Sequence, residues 1–569
     1  MKKIKFTLNG MEVEGKNDET IMTVAKRYEV KIPHICMDQH LDNIGACRIC
    51  VVEIEGQRKL FASCSTPIRE GIIVKTHSPK VLKARRINIE LLLANHDRDC
   101  LICPQNLHCK LQEYSDEFNM TEIRFEGKIR KSVPDNSSVS ITRNNAKCIL
   151  CGKCYRICNE IQTVNAIGPE ERGFEKKVVP PFGMNMKESN CVNCGQCVIA
   201  CPTGALSEKN DLQPIIEALN SGKFIVAQTA PSIRAALGEY FEMEPGKLVT
   251  GKMVTALREV GFSKVFDTDL GADITIIEEA TEFIKRFKAK RDLPMITTCC
   301  PAWIKFAEQF FFEQLNHMSS CKSPQAMLSS LIKHYYGKKI GKKPEDIIVV
   351  AIMPCTAKKF EIQRPELDGD TDYVLTTVEF GKLLKQFNVD FPNLPDSDFD
   401  NPLGESSGAG DIFGRTGGVM EAALRTAADY MTGKSLKDVD YKEIRGMDTM
   451  KEADIKIGKE TLKICVVHTL GEARKVMNQI RQGESPYHFI EIMACYGGCV
   501  GGGGQPRPQS DNTIELRTKA LTSEDTHKKI RKSHENPAVK KVYKEYVGKA
   551  GSAKAHKLLH THYIERDYI

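Results

Sequence analysis

The strongest constraint on this chain is a repeated cysteine spacing. Cys148, Cys151, Cys154 and Cys158 follow the pattern C-x2-C-x2-C-x3-C, and Cys191, Cys194, Cys197 and Cys201 repeat it. Two such runs bind two [4Fe–4S] cubes, and the fourth thiol of each run crosses to the other cube. One cube then takes Cys148, Cys151, Cys154 and Cys201, and the other takes Cys191, Cys194, Cys197 and Cys158. Pro202 follows the second run, whereas Asn159 stands at the matching place in the first, a departure that leaves the ligands intact. Zinc is a remote alternative at this spacing, so residues 140–209 are read as one iron–sulfur domain.

More cysteines precede it. Residues 1–80 read as strand, turn, strand, helix and cysteine loop, with Cys36, Cys47, Cys50 and Cys64 as a four-thiol set. Its first gap is longer than the plant-type x4 spacing. The β-grasp-like pattern around it favours a [2Fe–2S] centre over a zinc site. A helix is expected over Lys83–Asn95, with Ile87, Ile89, Leu91, Leu92 and Leu93 forming a broad apolar face. It leads, within 81–125, to His96, Cys100, Cys103 and Cys109. Three thiols leave a [4Fe–4S] cube one ligand short. Residues 120–145 are polar and read as a connector.

From 210 to 569 helices alternate with short apolar strands, which argues an α/β domain with mainly parallel sheets and two lobes around a cleft. Expected strands include Phe224–Ala227, Ile347–Met353, Ile464–Val467 and Phe489–Met493; expected helices include Lys252–Val260 and Thr275–Lys288. Three apolar stretches end in cysteine: Leu293 to Cys299-Cys300, Ile347 to Pro354-Cys355, and Phe489 to Cys495 and Cys499 followed by a glycine tract. Open α/β sheets place their sites just past such strands. Convergence of these loops would bring Cys300, Cys355, Cys495 and Cys499 around another [4Fe–4S] cube. The Gly-rich run 407–418 departs from the dinucleotide spacing and reads as a close-packing turn opening a helix over Val419–Tyr430. The tail, with Arg531–Asn536, Lys540 and Lys541, reads as a basic, solvated helical face.

Composition narrows the class. Twenty-two cysteines in metal-ligand clusters of a 569-residue chain favour metal over disulfides. A net charge of +7 without a basic domain argues against a nucleic-acid binder, though it favours an acidic partner. There is no apolar run of the roughly 18 residues a membrane span needs. The start, Met1-Lys-Lys-Ile-Lys-Phe, has no apolar signal core, so a cytoplasmic location is expected.

The three cysteine-ended stretches resemble the three signature motifs of the [FeFe]-hydrogenases, in the family's order. The resemblance spans essentially the whole chain and looks like the modular, monomeric type of anaerobic bacteria. It implies a ferredoxin hydrogenase: protons and electrons from ferredoxin, or a similar acidic carrier, are converted reversibly to H2. It implies one [2Fe–2S] centre, three accessory [4Fe–4S] cubes with His96 as the fourth ligand of one, and an H-cluster. In that cluster Cys499 also bridges to a two-iron subcluster carrying CO, cyanide and an azadithiolate, which hydrogenase maturation proteins supply. Lys358, the backbone at Ala230, Pro231 and Ser232, and Gln325 would serve the cyanides, with Met353, Met493 and Phe413 beside them. Residues Glu278–Arg286 have a periodicity that favours a solvated helix face with a Glu282–Arg286 pair. The resemblance reverses that reading, implying a proton relay through Cys299, Glu279, Ser319 and Glu282, with Arg286 at its end. Thr298, Ala302 and Tyr496 depart from residues common in the family without touching a ligand.

Two other readings compete. One is a redox sensor with a degenerate site, against which Cys299, Glu279, Glu282 and Lys358 argue. The other is the catalytic subunit of an electron-bifurcating, NAD-linked complex. Cys321 and Cys465 are left over, the latter as a small core residue.

Overall fold

The computed structural model describes residues 3–130, 132–437 and 439–567. The chain divides into two compact units. The first comprises residues 1–161, 165–189 and 200–207; the second comprises 162–164, 190–199 and 208–569.

In the first unit, the strand Lys3–Leu8 alternates exposed and buried residues, so one face packs inward. It lies in a five-stranded sheet ordered Met11–Lys16, Lys3–Leu8, Ile73–Lys75, Val51–Ile54, Leu60–Ala62. Only the pairing of Lys3–Leu8 with Ile73–Lys75 is parallel. The helix Ile21–Arg27, capped by Thr20, buries Ile21, Met22, Val24 and Ala25 against this sheet, in the core that also holds Cys50 and Cys64. The next helix begins at Pro79, earlier than expected, because Ser78 caps it by accepting from the Val81 amide. Its apolar face is narrower than the sequence suggested. Leu91 is exposed, while Arg85 and Glu90 are buried. Both polar side chains have partners: Arg85 donates to the Val51 carbonyl at 2.9 Å, and Glu90 pairs with Arg124 at 2.6 Å.

The second unit holds two four-stranded sheets. One runs Lys264–Asp267, Phe224–Thr229, Ile347–Met353, Tyr373–Thr376, all parallel. The other runs Met295–Ile296, Phe489–Met493, Glu460–His468, Met450–Ile457, parallel except for its last pair. The central strands are apolar along nearly their whole length because both faces are covered. Cys465 lies fully buried within Glu460–His468, as a small core residue would.

The helix expected to start at Thr275 spans Thr268–Ala289. Its first turns carry buried carboxylates that read as surface residues in a sequence. Asp269 and Asp411 lie with Asp267 around the buried guanidinium of Arg234, and Asp273 accepts from the Ser407 amide at 2.9 Å and from Asn536 at 2.8 Å. The tail also differs from expectation. Lys540 and Lys541 are exposed, but Lys532, Ser533 and Asn536 are buried. Lys532 reaches the distant Asp429 at 2.6 Å and Arg531 reaches Asp525, six residues before it, at 2.6 Å, so acidic partners draw the basic run inward. Farther on, the Lys322 amide donates to the Leu559 carbonyl and the Thr561 amide to the Ser320 carbonyl, both at 2.8 Å. Among the described residues no helix is long and apolar enough to cross a membrane.

Candidate active site and iron–sulfur ligands

The loops that leave the C-terminal ends of both sheets in the second unit line one cavity. Ala230, Pro231 and Ser232 follow Phe224–Thr229, Pro354 and Cys355 follow Ile347–Met353, and Cys495 follows Phe489–Met493. Cys299 and Cys300 enter just past Met295–Ile296, and Cys499 comes from the glycine tract. All four thiols expected around the cube therefore face one space. Every cofactor-lining residue expected from sequence also faces it: Ala230, Pro231, Ser232, Gln325, Met353, Phe413 and Met493.

Close backbone approach explains the glycines. Gly498 has φ near +93°, and a Cβ there would lie 2.6 Å from the Thr416 amide nitrogen. At Gly503 a Cβ would lie 2.5 Å from the Cys194 carbonyl oxygen. The tract is thus packed against backbone on both sides, and no other residue fits.

The donor set suits a cubic iron–sulfur core. Burial drives the Cys355 thiol up to about 12, with Cys300 adding to the rise, and it holds Cys300, Cys495 and Cys499 high as well. Burial disfavours the free thiolate at all four, and neighbouring cysteines add to this at Cys355, Cys495 and Cys499, a conflict that a cationic iron core relieves. Backbone amides of Ala302, Trp303 and Ala494 favour the thiolate of Cys300, and those of Ala357 and Lys358 favour that of Cys355. Lys358 Nζ donates to Glu361 Oε2 at 2.7 Å and lies 3.4 Å from the Cys299 carbonyl. Ser323 and Gln325 donate to the same Glu361 oxygen, at 3.0 and 3.2 Å. Ser232 Oγ is buried with no hydrogen-bond partner among the described residues, so a donor is left free at the cavity wall.

Cys299 lines the same cavity. Burial pushes its thiol far above the ordinary range, with Cys300, Cys499 and Glu279 adding to the effect, so it carries its proton. Burial also raises Glu279 to about 8, against a hydrogen bond from Ser319. Its Oε2 has no partner among the described residues. Ser319 Oγ accepts from the Cys321 amide at 3.3 Å. Glu282 accepts from the Ser320 amide and hydroxyl at 3.1 and 2.9 Å, and Arg286 donates to it at 2.6 Å. Arg286 also donates to the Met318 and Asn316 carbonyls, at 2.8 and 3.0 Å. The helix Thr268–Ala289 therefore carries the buried Glu279 and, less than one turn on, the partly exposed Glu282–Arg286 pair.

The accessory thiols group as follows. In the first unit, Cys148, Cys151, Cys154 and Cys201 line one cavity. Cys36 lies against Cys47, and Cys50 against Cys64. The hydrogen bond from its partner thiol is the largest influence lowering Cys47 and Cys50. His96 is buried, and that burial lowers it to about 4, so its imidazole is neutral, the form that binds metal. Its Nδ1 has no partner among the described residues. Gly204 stands so close that a Cβ would sit 2.5 Å from Cys103 Sγ. In the second unit, the turn bearing Cys191, Cys194 and Cys197 is bonded to the cavity loops. Thr356 donates to the Asn193 carbonyl at 2.7 Å and Gln196 to the Gly501 carbonyl at 3.0 Å. Cys194 is near enough to help raise Cys495.

Sequence reasoning missed Glu361, three residues beyond Lys358 on one helical turn, whose spacing was a usable signal. It also missed Glu491, a strand carboxylate held by the Gly417 and Met420 amides at 2.7 Å each. An acid inside an apolar strand carried no such signal.

The comparisons agree with this geometry. Residues 223–503 match the family described as iron only hydrogenase large subunit, C-terminal domain, and 511–566 match iron hydrogenase small subunit. Residues 1–79 match a 2Fe-2S iron–sulfur cluster binding domain, 85–124 the NADH-ubiquinone oxidoreductase-G iron–sulfur binding region, and 147–205 a 4Fe-4S dicluster domain. The chain is 45% identical to the NADP-reducing hydrogenase subunit HndD of Solidesulfovibrio fructosivorans, over 100% of both chains. It is 39% identical to iron hydrogenase 1 of Clostridium pasteurianum, over 98% of this chain and 99% of that one. A solved apo form of the [FeFe]-hydrogenase HydA1 from Chlamydomonas reinhardtii superposes with a TM-score of 0.57 at 38% identity, covering 63% of this chain and 100% of its own. With its cysteine-lined cavity and its accessory iron–sulfur domains, this chain belongs to the iron-only, or [FeFe], hydrogenase family.

Proposed function

We propose that this chain catalyses the reversible interconversion of protons, electrons and H2, with a soluble low-potential carrier of the ferredoxin kind as its electron partner. The observation that carries this reading is the meeting of Cys300, Cys355, Cys495 and Cys499 with a protonated, unliganded Cys299 on one apolar cavity. Those four thiolates would hold the cube, and Cys499 would bridge to the two-iron group. When bound, that group supplies the redox-active iron at which H2 is formed or split. The chain's own residues do the rest. Lys358, anchored by Glu361, presents a positive charge to the cavity, and Ser232 offers its hydroxyl. Met353, Phe413 and Met493 exclude water, so every charge inside acts at low dielectric.

Protons reach the site along Glu282, Ser319, Glu279 and Cys299. A carboxyl that titrates near 8 is well matched to passing a proton near neutral pH. Electrons arrive through the accessory clusters, the last handover being from the Cys194 turn to the Cys495 loop. Three accessory cubes and one [2Fe–2S] centre, together with a monomeric, cytoplasmic protein, complete the proposal.

The test is an infrared spectrum of the matured enzyme, read for CO and cyanide stretches, beside an H2 assay with reduced ferredoxin. Absence of both signals, with all clusters present, refutes the reading. A second reading has a specific ground: the full-length likeness to a subunit of an NADP-reducing hydrogenase. If NADPH with partner subunits drives H2 formation and ferredoxin does not, this chain is the hydrogen-forming subunit of such a complex.

A further inference from the structure

A second line of hydrogen bonds leaves Glu282 beside the one from Arg286. Ser320 Oγ, which donates to Glu282 Oε2 at 2.9 Å, also lies 2.8 Å from Nδ1 of His560. On the other side of that ring, Nε2 lies 3.1 Å from Oε2 of Glu278. The side chain of Glu278 is fully buried, and its oxygens otherwise accept from the Tyr543 hydroxyl at 2.6 Å and the Gly551 amide at 2.7 Å. A carboxylate ringed by donors takes the Nε2 proton as a hydrogen bond, which leaves Nδ1 to face Ser320.

The proton count on this line is informative. Ser320 has one hydroxyl proton and two neighbours that can accept it. With Glu282 ionised, the hydroxyl points to Oε2, and Nδ1 must bring its own proton to Ser320 Oγ. With Glu282 protonated, the carboxyl points to Oγ, and the hydroxyl turns to Nδ1. The two arrangements interconvert when the Nδ1–H bond breaks, Oγ takes that proton, and Oγ passes its own to Oε2. Charge and atoms balance, and no heavy atom moves.

We propose that His560 is a second proton port of this enzyme, exchanging protons with Glu282 through Ser320, with the ring of exposed His556 lying against its own. The two imidazole rings lie 4.1 Å apart, and His560 itself is buried. The groups facing this pair are Glu278, Glu282, Lys285 and Arg286 from the long helix, Cys321 beside Ser320, and Tyr543 from the C-terminal segment. The segment is held by more than the imidazole. Backbone bonds from Lys322 to Leu559 and from Thr561 to Ser320 pin it on either side of His560. A proton role therefore accounts for a buried imidazole at this position better than a structural one does.

This inference rests on the reading of Glu282 as a relay residue, and the experiment separates the two. In matured holoenzyme, Glu282→Gln, His560→Gln and Ser320→Ala are compared for H2 evolution. The carboxyl stretch of Glu282, identified by its loss in Glu282→Gln, is followed by infrared spectroscopy against pH. His560→Gln is expected to lower turnover by about tenfold or more. The pH dependence of the Glu282 band should differ between the native enzyme and His560→Gln, because the two groups share one proton through Ser320. If Glu282→Gln keeps full turnover, the relay reading itself fails. If Glu282→Gln loses turnover while His560→Gln keeps it, the second port is overturned. A fall in His560→Gln with the band's titration unchanged overturns it too, because the ring then only supports the fold.

Discussion

Replacing Glu279 by Gln tests the buried half of the relay. The substitution keeps the shape and removes the titrating proton. Burial lifts this carboxyl from 4.5 to about 8, so charging it inside the protein costs about 5 kcal/mol more than in water. At pH 7 the protonated form then outnumbers the carboxylate by about ten to one, leaving both forms accessible to turnover. The amide of the variant has neither form, and the loss of one positioned acid–base group lowers kcat by about 10²–10⁴-fold. Stability should move the opposite way. The folded value lies above the unfolded one, so the native state holds more protons between about 4.5 and 8 and loses stability as pH rises through that window. The penalty is absent in acid and complete above about pH 8, with the same 5 kcal/mol as its ceiling. Glu279→Gln should therefore unfold at higher denaturant concentration than the native enzyme at alkaline pH, with no gain in acid. The assays are H2 evolution with reduced ferredoxin and urea unfolding at both extremes of pH. A variant that keeps native turnover refutes the relay. One that loses turnover and is also destabilised in alkali refutes the account of a buried, hard-to-charge carboxyl.

Three further outcomes are expected. His96→Cys adds one negative charge where a neutral ring now stands, so the potential of the [4Fe–4S] centre proposed there should fall in an EPR redox titration; an unchanged potential means His96 is no ligand. Gly503→Ala drives a methyl into the Cys194 carbonyl, 2.5 Å away, and should cost about 1–3 kcal/mol of stability. Its ferredoxin-driven rate should fall further than its rate with a small dye that reduces the site directly. Cys495→Ser should lower the iron content by one cube while the EPR signals of the accessory centres persist; full iron retention would remove Cys495 from the ligand set.

Much of this architecture was legible because cysteine spacing and strand ends are local signals. The Cys148–Cys201 repeat marks an iron–sulfur domain, and the apolar run Ile347–Met353 with Cys355 just past it marks a strand that ends at the cavity. What stayed hidden depends on tertiary charge pairing. Asp269 and Asp273 look like surface residues, yet they are buried beside Arg234 and Asn536, so the helix that holds Glu279 begins seven residues before its apolar periodicity does. Lys532 reads as part of a solvated basic tail until Asp429 is brought to it. Periodicity alone placed Glu279 on a wet face, because no local pattern reveals that Cys299 and Ser319 will close over it.

The thiols around the central cavity stand at positions 300, 355, 495 and 499. During translation the first of them leaves the ribosome long before the last exists, so no nascent fragment ending short of Cys499 can carry the finished metal centre. A product cut short of Cys499 therefore lacks the full ligand set proposed for this pocket, whatever clusters its N-terminal cysteines hold.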